Sequence, residues 1–235
     1  MVRYIDSKKM GRGKHGWLDS HFHFSFAEYY NPDNMHFGEL RVVNDDTVQP
    51  GTGFDTHPHK NMEIISYVVD GELTHADSMR NQRKLTKGQV QYMSAGTGVL
   101  HSEHNYGKDA LRFLQIWIFP DKDGYEPNYG DYPFKWEDRK DKWLPIATGN
   151  SSKKDVPIHV HADVNLYASE IGAGKELALK VAKGRQAYLV LIDGKAGIEG
   201  YTLTKRDAME IVEQDVTIKA SEDSHVLFIE MALVH

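Results

Sequence analysis

The chain contains no cysteine, and that absence removes several chemistries together. No disulfide, thiolate nucleophile, iron–sulfur cluster or cysteine-ligated zinc can form. Any bound metal must sit on nitrogen and oxygen ligands, which leaves Fe(II), Mn(II), Ni(II), Co(II), Zn(II) and Cu(II) open. An uninterrupted apolar run of about 18 residues, the least that spans a membrane, is also missing. The opening stretch Met1 to Lys9 has no apolar segment of the secretory-signal kind, so a cytoplasmic protein is expected. Positive charge is not in excess either, the net charge being −6 at pH 7. Such a surface does not displace counterions from phosphates, which argues against general binding to nucleic acid. Helix signals are few; the stretch Trp136 to Trp143 is the one candidate, as a short helix.

What the chain does have is strand texture. A mass of 26.8 kDa is enough for one large or two small domains with real cores. Runs rich in branched and aromatic residues read as strands at Leu40 to Asn44, Glu63 to Val69, Gln89 to Met93 and Leu111 to Phe119. Asp70-Gly71, Lys87-Gly88 and Gly96-Thr-Gly98 punctuate them. From Asp121 to Pro133 the chain is polar, turn-rich and aperiodic, and it reads as a linker running loosely on to Lys154. Strand texture then returns from Val156 to Ala232, with Gly194 and Gly200 at turns. The expectation is an all-β protein of two β-barrel (jelly-roll) domains, residues 1–130 and 131–235, the linker belonging to the second.

Two short patterns carry chemistry: His57-Pro58-His59 and His101-Ser102-Glu103. Side chains two apart on a strand share a face. If the two strands face one interior, three imidazoles and a carboxylate converge, a set that binds a first-row divalent metal and leaves positions open. The chain has 13 histidines, so such pairs also arise without a metal. His21-Phe22-His23 lies among aromatics and reads as packing. His159-Val160-His161 has no glutamate at the offset found after His59 and no H-x-E partner in the second half, and reads as structural. His75 with Asp77 reads as a solvated barrel rim, and His104 should face away from Glu103. Glu63 is the rival carboxylate to Glu103, because its parity matches His57 and His59, but it reads first as a residue that packs in its strand or supports the ligands from behind. Gln91 is a plausible partner for the ligands, and Gly96 and Gly98 supply a tight turn before His101.

These stretches resemble the two motifs of the cupin superfamily. The first follows G-x5-H-x-H-x3-E from Gly51 to Glu63, with seven residues rather than six before Gly71. The second, from Gly88 to Asn105, has Ser94 in place of the usual proline and two extra residues before His101. That departure resembles the pirins. So do His15-Gly-Trp-Leu-Asp-Ser20, Phe24-Ser-Phe-Ala-Glu-Tyr-Tyr-Asn-Pro32, Leu40-Arg-Val-Val-Asn-Asp-Asp46 and Met93-Ser-Ala-Gly-Thr-Gly98. The likeness is densest from Lys14 to Pro120, and closest to bacterial pirins that act as quercetinases.

The resemblance implies a bicupin with metal in the first domain alone, held by His57, His59, His101 and Glu103, with Fe(II) the first expectation. It implies a quercetin 2,3-dioxygenase, opening the central ring of a flavonol with O2 and releasing carbon monoxide; Glu103 would take or steer the 3-hydroxyl proton. It also implies an alternative, a metal-binding regulator that contacts a transcription factor or a metabolic enzyme. A monomer is expected. A zinc isomerase acting on sugar phosphates would need a basic cluster that these segments lack.

Overall fold

The computed structural model describes residues 1–150, 153 and 155–233; Ser151, Ser152 and Lys154 of the expected linker lie outside them. The chain forms two compact units, each built from a seven-stranded and a four-stranded sheet. Among the described residues, the only helices are short 3-10 turns at Ser7–Lys9 and Trp136–Arg139, so the expected helix shrinks to its first turn. The expected all-β bicupin architecture is the one observed.

The first unit comprises Gly11–Phe134 and Val160–Ala162. Its larger sheet runs in the order Asn128–Tyr132, Val90–Ser94, Glu63–Asp70, Leu111–Ile118, Leu40–Val48, Leu18–Phe22, Gly11–Lys14. Its smaller sheet runs Thr52–His59, Val99–Asn105, Glu72–Asp77, Gln82–Thr86. All these pairings are antiparallel, so alternate residues of each strand face the interior. The interior is not uniformly apolar. Val68, Leu73, Leu85, Leu111 and Phe113 fill one end, and Ile64, Met93, Ala95 and Val99 form a separate cluster. Ser66 lies between Ile64 and Val68 on its strand, and Gln115 two residues beyond Phe113. A polar layer thus crosses the barrel between two apolar ones.

The second unit comprises Met1–Met10, Lys135–His159 and Asp163–His235. Because Met1–Met10 belongs to it, the units interleave in sequence. Val2–Ile5 pairs with Ala208–Val212 at an edge of the second unit's larger sheet, in register Val2 with Ile211. That pairing joins residues at opposite ends of the chain, and no local pattern announces it. The expected linker is corrected: Asn128–Tyr132 is an edge strand of the first unit, paired with Val90–Ser94.

Asp46 belongs to the polar layer of the first unit. It is buried, its Oδ1 has no hydrogen-bond partner, and burial together with Asp45 and Glu103 raises its pKa to about 7. Ser20 opposes this by hydrogen bonding to the carboxylate. Between the ordinary value of 3.8 and about 7 the native state therefore holds a proton that the unfolded chain has released. Stability falls as pH rises through that window, by up to about 1.4 kcal/mol per unit from this one group. Asp46→Asn should flatten that slope in urea unfolding followed from pH 4 to 8, with its largest gain above pH 7. An unchanged slope would show that Asp46 is ionised in the native state throughout.

Candidate metal centre

The register of the smaller sheet puts the histidines together. Val99–Asn105 pairs with Thr52–His59 so that His101 lies opposite His57, while Glu103 lies opposite Phe54. Two residues on one strand thus span three on the other, a bulge. Gly53 then passes close beneath the strand, where a Cβ would lie 2.4 Å from the Glu103 carbonyl oxygen. The turn before His101 needs its glycines: Gly96 has φ +44° and Gly98 φ +142°, and a Cβ on Gly96 would lie 2.0 Å from the Tyr125 carbonyl oxygen.

Three imidazole rings meet there. Ring centroids of His57, His59 and His101 lie 4.5–4.8 Å apart, and Nε2 of His101 is 3.0 Å from Nε2 of His57. The Nδ1 of His57 lies 2.7 Å from the Asp55 carbonyl oxygen. A carbonyl can only accept, so Nδ1 carries a proton and Nε2 is the nitrogen turned toward the other imidazoles. Burial, and then the other imidazoles, lower the pKa of His59 and of His101 to about 3. Both rings are therefore neutral at physiological pH, the form that binds metal. The His59 ring meets Trp117 edge to face at 4.8 Å, which closes one side.

Glu103 is buried, and polar side chains hold both its oxygens. Its Oε1 accepts from Ser66 Oγ at 2.8 Å and Gln91 Nε2 at 2.7 Å; its Oε2 accepts from Gln115 Nε2 at 2.6 Å. A carboxylate has about four lone-pair directions, so one direction on Oε2 remains. Three imidazole nitrogens and a carboxylate with spare acceptor capacity fit a divalent transition metal.

The ligand atoms fall into two groups, each within 4.8 Å: His57, His59 and His101, and then His75, His101 and Glu103. His101 belongs to both. The four residues expected from sequence are thus gathered around His101, and a fifth comes with them. His75 is the correction: it is fully buried rather than a solvated rim, it lies directly across from Glu103, and its Nε2 is 2.9 Å from Asp77 Oδ2. Tyr129 stacks on it at 4.5 Å and 21°. The Tyr129 hydroxyl donates to Gln91 Oε1 at 3.3 Å, and burial pushes its pKa up, so the phenol keeps its proton.

Glu63 is not at the centre. It accepts from Tyr92 Oη at 2.7 Å, Ser94 Oγ at 2.6 Å and the His161 backbone N–H at 3.0 Å, and the His161 ring stands 3.2 Å from it. Ile64 and Ser66 take the inner face, so Glu63 points outward. Parity fails as a guide because Asn61, between the strands, has φ +48° and breaks the alternation. His161 therefore does have a carboxylate partner, distant in sequence, while His159 is exposed. His23 is buried, and His104 points away from Glu103 toward Asp55 and Tyr106.

Removing His101, the shared member, should reduce bound metal in His101→Ala to about a tenth of the wild-type content or less, measured by elemental analysis of purified protein. Glu63→Gln should keep its full content. Metal loss in Glu63→Gln with retention in His101→Ala would reverse the assignment of inner and outer faces.

Known proteins resemble this chain along nearly its whole length. Residues 5–118 match the Pirin family, and residues 138–231 match the quercetinase C-terminal cupin domain. A pirin-like protein of Caulobacter vibrioides is 41% identical over 97% of this chain and 100% of its own length. Quercetin 2,3-dioxygenase of Escherichia coli is 37% identical over 98% of this chain and 99% of its own. The crystal structure of the bacterial pirin YhhW of Escherichia coli in complex with nickel(II) superposes with a TM-score of 0.92 at 35% identity, covering both chains completely. The chain belongs to the pirin family.

Proposed function

We propose that the protein is a metal-dependent dioxygenase that opens flavonols such as quercetin with O2. The observation that carries this reading is Glu103: a buried carboxylate, fixed by three side-chain donors, beside three clustered imidazoles. The proposed metal ligands are His57, His59, His101 and Glu103, with one ion per chain and Fe(II) as the native metal. A divalent ion bound there supplies Lewis acidity, which eases loss of a proton from a coordinated hydroxyl.

The chain's own residues do the rest. His59 and His101 are neutral donors, so the site's charge is low enough to accept an anionic enolate without strong repulsion. The one open direction on Glu103 Oε2 serves either role, so the carboxylate would take the 3-hydroxyl proton in exchange for its place on the metal. Ser66, Gln91 and Gln115 fix the carboxylate before substrate arrives, so little reorganisation accompanies proton transfer. His75, pinned between Asp77 and Tyr129, closes the layer behind His101. Of the proposed ligands His59 alone lines a cavity of about 470 Å³ formed with Pro58, Lys60, Ser78, Val99 and Leu100, a volume within the size range of sites for small organic ligands. The relatives named as quercetin dioxygenases add weight to the flavonol assignment.

Protein loaded anaerobically with Fe(II) and mixed with quercetin should bleach the flavonol absorbance when O2 is admitted, releasing one carbon monoxide per flavonol. Glu103→Gln, compared at equal metal occupancy, should slow the reaction by roughly 10²–10⁴-fold, the usual contribution of a general base. Absence of metal-dependent bleaching with Fe, Mn, Co, Ni or Cu, against free-ion controls, would remove the dioxygenase reading.

A further inference from the structure

The second unit has an open cavity of its own, about 690 Å³ in volume, that the proposed chemistry of the first does not use. It lies at one end of that unit's interior. Along the Val164–Ile171 and Ser224–Ala232 strands the pairing sets Tyr167 against Phe228 and Asn165 against Glu230. Phe228 belongs to the buried core with Leu189 and Val226, and Trp143 and Tyr167 pack against that core. One step further out, Asn165, Arg185 and Glu230 replace apolar side chains. The barrel is therefore not filled to this end, and small barrels whose interiors are not filled by side chains hold one small ligand.

Its walls are aromatic and flat. The Tyr167 and Phe228 rings stack at 4.7 Å and 17°, and Trp143 meets Phe228 edge-on at 4.5 Å and 82°. The Trp143 Nε1 donates to the Ala178 carbonyl at 2.8 Å, which fixes the indole plane. Ring faces set at right angles suit a planar ring between them.

Charge at the mouth selects the rest of the ligand. Arg185 is spent internally: its guanidinium donates to both oxygens of Glu230 and, at 2.6 Å, to Asp163. The two lysines are not. Among the described residues, Lys153 Nζ donates to the Tyr167 hydroxyl at 3.3 Å and to Asn165 Oδ1 at 3.4 Å and stands 6.0 Å over the Tyr167 ring, and neither it nor Lys180 has an ion pair. Two ammonium groups without a carboxylate partner thus stand over an aromatic pocket. Among the described residues, no group of three metal-ligating side chains lies there.

We propose that this cavity is a binding site for a small planar aromatic carboxylate, its ring against Trp143 and Tyr167 and its carboxylate between Lys153 and Lys180. The site is independent of what the first unit does. Calorimetric titration of the full-length protein at low ionic strength, where such ion pairs are least screened, should give saturable binding of benzoate and 3,4-dihydroxybenzoate. The neutral benzamide and the ringless acetate should each bind at least about tenfold more weakly. Trp143→Ala and the double change Lys153→Met with Lys180→Met should each weaken benzoate by about tenfold, while His57→Ala in the first unit should leave it unchanged. No saturable binding, equal binding of benzamide, or loss in His57→Ala with retention in the lysine variant would each overturn the proposal. Displacement of benzoate by inorganic phosphate at equal affinity would do the same, by reducing the site to a general anion contact.

Discussion

Everything at the first centre depends on keeping one carboxylate in the middle of a barrel. An unpaired buried charge is costly, and in practice such a group protonates or finds hydrogen bonds. Glu103 finds them in Ser66, Gln91 and Gln115, each from a different strand of the larger sheet. The sheet therefore gives part of its interior to polar side chains, and the apolar core is divided in two. Asp46, raised by burial and left with an unpartnered oxygen, belongs to the cost of that layer. A centre that pre-arranges its donors does so against the stability of the barrel that holds them.

The imidazoles illustrate a complementary constraint. They sit on the smaller sheet, opposite the donors to Glu103, and a single bulge sets which of them meet. The bulge puts His101 across from His57 and carries Glu103 past them into the polar layer. Regular pairing would have put Glu103 opposite Asp55. The short approach of Gly53 is the local condition for this register, since any side chain there would collide with backbone.

The sequence made the strands and the H-x-H and H-x-E pairs legible because both depend on spacings of two within one strand. It did not disclose His75, whose place at the centre depends on pairing with Glu103 across a register no local pattern encodes. Tyr129 was hidden for another reason. Its strand lies in a run of glycine, proline, aspartate and asparagine that reads as a linker, and only pairing to Val90–Ser94 makes it a strand. The parity that kept Glu63 a rival ligand does not carry across Asn61, where the backbone turns left-handed. Spacing survives within an element and fails across a turn.

The interleaving of the two units bears on how the chain is made. Val2–Ile5 leaves the ribosome long before Ala208–Val212, the strand it pairs with. At about 5–20 residues per second, that wait lasts roughly ten to forty seconds, during which the first strand has no partner. The entropic cost of closing so long a loop grows only slowly with its length, so the pairing remains favourable once both strands exist. Until then the strand is a loose edge-forming segment of the kind that pairs with other chains. Of its four residues Arg3 is the charged one, and in the finished sheet it donates to Glu210. A charge on such a segment disfavours premature pairing with an apolar edge, so the cation that completes the sheet also guards the strand while it waits.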